Sequence, residues 1–155
     1  MRNMLTDITY EVAKTKDFSA INKLYDKVGF VHSHPNKDIV IIGKNNDEII
    51  ALGRIVRIDA DNAELGGMYV KDKWRGYGIA NLVVSRLLEI SKDYQFIFCL
   101  LFQRLLNFYM KFGFIKPKEH IIPIEITEKH KWCNSEYTKP VEILVLDYKH
   151  LYQKV

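Results

Sequence analysis

The stretch from Gly66 to Ala80 holds the residue types and spacing that best suit chemistry. It reads Gly-Gly-Met-Tyr-Val-Lys-Asp-Lys-Trp-Arg-Gly-Tyr-Gly-Ile-Ala and passes from a strand-like run, through a basic loop, into a helix-like run. Gly76 and Gly78 would leave backbone N–H groups uncovered, and the helix start adds unpaired donors and a positive dipole end. The pattern predicts a pyrophosphate cradle to which Arg75 adds charge. A glycine pair by itself also fits an ordinary loop followed by a helix cap.

The residues before this loop predict a helix and an antiparallel meander. Apolar residues recur at helical spacing from Phe18 to Val28, with Asp17 as the expected N-cap and Gly29 as the expected end. Turn residues separate the strand-like runs, which favours hairpin connections. The predicted strands are Ile8–Ala13, Ile39–Lys44, Glu48–Ile58 and Ala63–Val70.

The residues after the loop predict one crossover and two further strands. Ile79, Leu82, Val83, Leu87 and Ile90 form the apolar stripe of an amphipathic helix. The apolar run Gln95–Leu101 then predicts a strand covered on both faces, parallel to the strand around Met68. A helix with Leu105, Phe108, Tyr109 and Phe112 on one stripe and Gly113 at its end follows, and Ile121–Thr127 and Val141–Tyr148 are predicted strands joined by Glu128–Pro140.

These elements predict the fold class. We expect an α/β (α+β) protein with a mixed, mostly antiparallel sheet of about seven strands, a central parallel step and flanking helices. The chain has 155 residues, a length that fits one domain, so residues 1–155 are interpreted as a single domain. Ligands of such sheets favour the carboxyl ends of strands beside the parallel step.

Two motifs resemble those of the GNAT superfamily of acyl-CoA-dependent N-acyltransferases. Arg75–Ala80 resembles its pyrophosphate-binding motif, and Phe108-Tyr109-Met110-Lys111-Phe112-Gly113-Phe114 resembles its Phe-Tyr-x-x-x-Gly-Phe signature. The order of strands and helices is similar from about Ile8 to Tyr148. The resemblance implies a GNAT fold and an N-acetyltransferase that uses acetyl-CoA as co-substrate, without a metal.

The resemblance also implies roles for individual residues. Backbone groups of Met68 and Val70 would bind the pantetheine arm, and N–H groups from Gly76 to Asn81 would bind the pyrophosphate. The full set of residues expected to bind the coenzyme is Met68, Tyr69, Val70, Arg75, Gly76, Tyr77, Gly78, Ile79, Ala80 and Asn81. Gly66 and Gly67, paired inside a strand, independently indicate a bulge or a close backbone approach. A bulge there would free an N–H near Met68 to polarise the thioester carbonyl.

Tyr109 and Glu64 are the catalytic candidates. Tyr109 matches the family's tyrosine that is often proposed as the general acid for the departing thiolate, and the alternative is a core role beside Leu105 and Phe112. Glu64 matches a position that is often acidic and could serve as a general base, directly or through water, or be a solvated strand-end carboxylate. The sequence departs from the family at Phe102, where many members have asparagine, with Gln103 as a substitute, and at Leu105, where alanine is common.

Composition excludes or disfavours several other functions. The net charge of +4 is small and the basic residues are interleaved with acids, which argues against a nucleic-acid partner. Two cysteines provide neither a disulfide framework nor metal-ligand spacing, and His32 and His34 suit acceptor contact better than a metal. No apolar run is long enough for a membrane span, so we expect a cytoplasmic protein. The expected acceptor is the amine of a small molecule or a protein; a homodimer is compatible with the family, and a catalytically silent acyl-CoA-binding module is the alternative.

Overall fold

The computed structural model describes residues 7–149. Within that range the chain forms a six-stranded sheet in the order β1-β2-β3-β4-β5-β6, with helices between the strands. The strands are β1 (Ile8–Val12), β2 (Asp38–Asn45), β3 (Glu48–Arg57), β4 (Asn62–Val70), β5 (Phe96–Phe102) and β6 (Val141–Asp147). The helices are α1 (Phe18–Val28), α2 (Ile79–Ile90), α3 (Leu106–Met110) and α4 (Ile124–Glu136).

The backbone contacts of the chain cluster into two compact units. One holds the chain up to Val56 together with Gly66–Ile90, and the other holds Arg57–Leu65 and the chain from Ser91 onward. We refer to them as the first and the second unit. The boundary between Leu65 and Gly66 falls inside β4.

The first unit contains the predicted meander and the helix that covers it. β1 pairs antiparallel with β2, and β2 with β3. The helical stripe of α1 packs on these strands, and α1 ends at Gly29, whose φ is 73°. The core between helix and strands consists of Phe18, Ile21, Leu24, Tyr25, Val40, Ile42, Ile49 and Leu52.

Two details of the first unit differ from the prediction. Asp17 is the N-cap residue of α1 as predicted, but its carboxylate accepts the Lys14 N–H at 2.8 Å rather than an N–H of α1. In α2, Val84 is buried while Leu82 is 49% exposed.

The second unit contains the predicted parallel step. β4 pairs with β5 in parallel, from Asn62 opposite Phe96 to Leu65 opposite Cys99. β5 then pairs antiparallel with β6 over its whole length. β5 lies between β4 and β6, and four of its seven residues are buried. Phe98 packs with Ile126 and Val145 in a small core. The parallel ladder ends at Leu65, whereas β4 runs on to Val70.

The predicted strand at Ile121–Thr127 is wrong, and the sheet of the described residues therefore has six strands rather than about seven. Residues from Ile124 onward form α4, which begins after Pro123 and runs through most of the segment expected to be a connection. The Pro123 carbonyl accepts the N–H groups of Ile126 and Thr127, which starts the helix. The alternation of isoleucines at 122, 124 and 126 matched a strand period, but α4 buries Ile126 and Cys133, seven residues apart and hence on one helical face.

Candidate active site

The loop between β4 and α2 has the backbone conformation of an anion cradle. A short 3-10 turn, Asp72–Trp74, follows β4, and Gly76 and Gly78 then take φ values of 83° and 79°. A Cβ at either glycine would meet nothing within 4 Å, so these glycines are needed for their left-handed conformation and the loop surface stays uncovered. The N–H groups of Ile79, Ala80 and Asn81 form the first turn of α2 and have no intrahelical partner. Six consecutive backbone N–H groups, from Gly76 to Asn81, thus lie in the loop before α2 and in the first turn of that helix.

Arg75 lies at the mouth of this loop but its guanidinium already has protein partners. Its Nε donates to the Val70 carbonyl at 3.0 Å, and its Nη1 lies 3.0 Å from Oδ1 of Asp72. The side chain is 60% exposed. Arg75 therefore ties the end of β4 to the loop, while part of its charge remains accessible to a phosphate.

The remaining residues expected to bind the coenzyme lie around the same loop. Met68, Tyr69 and Val70 are partly buried in the last three positions of β4. Tyr77 is 59% exposed, whereas the Ile79 side chain is buried and anchors the first turn of α2. All ten of these residues belong to the first unit.

Gly67 has the distorted, crowded backbone that the glycine pair predicted. Its φ is 59°, and an added Cβ would lie 2.5 Å from the Tyr25 hydroxyl and 2.9 Å from Nε of Arg54. Tyr25, which is fully buried, donates its hydroxyl proton to the Gly67 carbonyl at 2.9 Å. The conformation of β4 next to Met68 is therefore fixed by a side chain from α1.

Glu64 is held by a partner that the sequence did not reveal. The Lys129 ammonium of α4 lies 2.7 Å and 3.0 Å from the two carboxylate oxygens. The Glu64 side chain is 8% exposed and that of Lys129 is 42% exposed. Glu64 is thus a buried, charge-paired carboxylate rather than a solvated one.

Tyr109 and the charge of Glu64 both influence the thiol of Cys99. Tyr109 is 5% exposed and lies beside Cys99. Burial, and then the neighbouring Cys99, raise the pKa of Tyr109 well above 10.0. Burial, and then the Glu64 charge, raise the pKa of Cys99 above 9.0. At neutral pH the tyrosine hydroxyl and the thiol therefore both hold their protons.

The model of the acetyltransferase (GNAT) family matches residues 1–114. This chain belongs to that family. The match includes the loop from Arg75 to Asn81, the catalytic candidates Glu64 and Tyr109, and the end of the second motif at Phe114.

Solved structures share the GNAT fold at low sequence identity. Rv2747 from Mycobacterium tuberculosis, solved in complex with CoA, has a TM-score of 0.69 and 17% identity, over 90% of this chain and 98% of that chain. A GNAT family acetyltransferase from Elizabethkingia anophelis with acetyl-CoA bound has a TM-score of 0.63 and 15% identity, over 91% and 98%. A dodecameric spermidine N-acetyltransferase from Vibrio cholerae has a TM-score of 0.67 and 12% identity, over 96% and 98%. A search of curated protein sequences found no significant match.

Phe102 and Leu105, the two positions at which this acetyltransferase departs from the GNAT pattern, both carry apolar side chains. Phe102, at the end of β5, packs edge-on against Tyr137 with ring centroids 5.3 Å apart. Gln103 is exposed in the 3-10 turn that follows β5, and Leu105 ends that turn. Phe102 is thus part of an aromatic contact rather than a polar one.

The sequence analysis of this GNAT chain did not predict the roles of two further residues, Arg54 and Lys129. Arg54 is 7% exposed although it carries a full charge, and the signal was a single arginine inside the apolar run of β3. Lys129 gave no signal, because its partner Glu64 lies 65 positions away.

Among residues 7–149, no group of three or more His, Cys, Asp or Glu side chains could hold a metal ion. In the same range no helix is both long enough and apolar enough to cross a membrane.

Proposed function

We propose that this acetyltransferase transfers the acetyl group of acetyl-CoA to a primary amine carried by a small molecule or a protein. The observation that carries the proposal is the loop from Gly76 to Asn81, where two left-handed glycines and the start of α2 present uncovered N–H groups. Such a surface suits a pyrophosphate, and the residues fit coenzyme A because no side chain would obstruct it. Backbone groups of Met68 and Val70, beyond the end of the parallel ladder, are assigned to the pantetheine arm.

The transfer is assigned to direct attack of the amine on the thioester. In this reaction the amine nitrogen forms a bond with the carbonyl carbon, the carbon–sulfur bond breaks, and the departing thiolate receives a proton. Neither cysteine suits a covalent intermediate, because Cys99 and Cys133 are 1% and 6% exposed and burial raises the pKa of both thiols. The rate then depends on positioning and on polarisation of the carbonyl, a role proposed for the N–H near Met68.

Tyr109 is proposed to give its proton to the departing thiolate, since its raised pKa keeps the hydroxyl protonated at neutral pH. Glu64 is proposed to receive the proton of the amine. Its carboxylate already accepts from Lys129, so proton transfer would pass through the oxygen lone pairs that Lys129 leaves free or through water. The contact with Lys129 would hold this carboxylate in a fixed position.

The coenzyme claim is tested by calorimetric titration with acetyl-CoA. Gly78→Trp should abolish binding by covering the cradle. Gly29→Trp is the matched control, because Gly29 has a similar φ of 73°, also has nothing within 4 Å, and lies at the end of α1. Loss of binding in both variants, or retention in both, would contradict the assignment of the loop.

The catalytic claim is tested by CoA release with a panel of primary amines. Tyr109→Phe should lower kcat by about 100-fold, the lower range for a general acid, while leaving the dissociation constant of acetyl-CoA unchanged. An unchanged kcat would remove Tyr109 from the mechanism. Acetyl-CoA binding without turnover of any amine would favour the silent acyl-CoA-binding module instead.

A further inference from the structure

Arg54 places a positive charge inside the first unit where the strand is otherwise apolar. Its neighbours along β3 include Leu52 and Ile55, which are 0% and 2% exposed, and Arg54 itself is only 7% exposed. Burial of a guanidinium costs free energy unless a counter-charge or strong hydrogen bonds compensate it. The arginine therefore needs an explanation beyond packing.

The protein partners of Arg54 are all neutral. Its Nη1 donates to the Val31 carbonyl at 2.9 Å and to Oγ of Ser33 at 2.7 Å. Its guanidinium carbon lies 4.6 Å from the centre of the Tyr25 ring. None of the ion pairs among residues 7–149 includes Arg54, and the Asp38 carboxylate accepts the His34 N–H at 3.2 Å.

Among residues 7–149, the hydrogen bonds of Arg54 are donated by Nη1, and Nε and Nη2 have no acceptor. In the described part of the chain, the polar side-chain atoms that are buried without a partner are Oδ1 of Asn62 and Nε1 of Trp74. Since Nε and Nη2 of Arg54 are not among them, the described residues do not enclose this edge completely. Two parallel N–H groups on one edge of a guanidinium match the two oxygens of a carboxylate.

This edge lies beside the distorted part of β4. A Cβ on Gly67 would be 2.9 Å from Nε of Arg54, so the β4 backbone at Gly67 lies close to this side of the guanidinium. Gly67 directly precedes Met68 in β4. A backbone N–H near Met68 is proposed to polarise the thioester carbonyl. In an α-amino acid the carboxylate and the amine share one carbon, so a carboxylate at Arg54 would hold the amine close to that carbonyl.

We propose that Arg54 binds the carboxylate of the acceptor, and that the acceptor is an amino acid or another amine with an adjacent carboxylate. The inference rests on the proposed function and specifies its substrate class. Val31 and Ser33 orient the guanidinium through Nη1, which leaves the opposite edge for the ligand. The bound carboxylate supplies the counter-charge that the described residues lack.

The test is calorimetric titration of the protein saturated with CoA. The titrants are free L-amino acids and the corresponding α-carboxamides, which differ only in the carboxylate. At least one acid should bind about 10- to 100-fold more tightly than its amide, as expected for a hydrogen-bonded charge pair. Arg54→Gln should abolish this preference and Arg54→Lys, which keeps the charge but not the paired donors, should reduce it. Arg57→Gln is the matched control, because Arg57 is exposed on the same strand, and it should retain the preference.

Three results would overturn the inference: amides that bind as tightly as acids, a preference that survives in Arg54→Gln, or no binding of any amino acid. A parallel titration with acetyl-CoA separates this inference from the proposed function. Acetyl-CoA binding without a carboxylate preference refutes the role of Arg54 alone, whereas loss of acetyl-CoA binding in the parent refutes the proposed function. Arg54→Lys keeps a cation at the buried position, so the comparison stands even where Arg54→Gln does not fold.

Discussion

The substitution Gly67→Ala adds one methyl group at a position of β4 with no space for it. The new Cβ would lie 2.5 Å from the Tyr25 hydroxyl and 2.9 Å from Nε of Arg54. The same alanine would also have to adopt a φ of 59°, which is unfavourable for any residue with a Cβ. Two separate costs therefore act at one site.

The expected loss of unfolding free energy follows from these two costs. A left-handed conformation costs an L-residue about 1–2 kcal/mol, and overpacking of a filled site costs about 1–3 kcal/mol. Together they predict a loss of roughly 2–5 kcal/mol for Gly67→Ala. Gly76→Ala is the matched control, because its φ is 83° and its Cβ would meet nothing within 4 Å, so it should lose only about 1–2 kcal/mol.

Urea unfolding followed by circular dichroism measures both values under the same conditions. The entropy that alanine removes from the unfolded chain affects both variants alike and cancels in the comparison. Tyr25→Phe removes the closest clashing atom, so Gly67→Ala should cost less in a Tyr25→Phe background than in the parent. Equal destabilisation by Gly67→Ala and Gly76→Ala would refute the claim that Tyr25 and Arg54 fill this space.

The remaining predictions concern the second unit. Because the folded pKa values of Cys99 and Tyr109 lie above their ordinary values of 9.0 and 10.0, the unfolded chain releases these protons first and unfolding free energy should fall as the pH rises above about 9. Urea unfolding from pH 7 to 10.5 checks this, and a Cys99→Ala variant with the same slope near pH 9 would count against it. Lys129→Met leaves the buried Glu64 carboxylate unpaired and should cost about 1–3 kcal/mol, near the lower end because Lys129 is 42% exposed. Glu64→Gln should lower the unfolding free energy by less, because the Lys129 ammonium can then be hydrated by water. If urea unfolding shows a larger loss for Glu64→Gln than for Lys129→Met, the ion pair does not stabilise the fold as described.

The parts of the fold that the sequence predicted correctly are those with local signals. The loop from Arg75 to Asn81 was recognised because left-handed glycines and a helix start are both encoded within a few residues. The antiparallel meander followed from strand-like runs separated by turn residues. The parallel step followed from an amphipathic helix between two strands, of which the second, β5, is apolar on both faces.

The parts that could not be predicted depend on distant contacts. Ile122, Ile124 and Ile126 alternate as in a strand, whereas in the structure Ile126 packs against Phe98 and Val145 as part of the helix α4. That helix in turn carries Lys129 to Glu64, so the error in secondary structure concealed the ion pair. The charge of Arg54 was visible in β3, but its contacts with Val31 and Ser33 arise from the folding of the loop after α1.

The two buried cysteines of the chain allow local unfolding of the protein to be measured by thiol labelling. Cys99 is in β5 and Cys133 is in α4, and both thiols are buried and protonated at neutral pH, so an alkylating reagent can react only after the surrounding structure moves away. The mass of the intact protein after timed exposure would count the labels. Cys133 should react first if α4 detaches while β5 remains paired, and both should react together if the unit opens in one cooperative step.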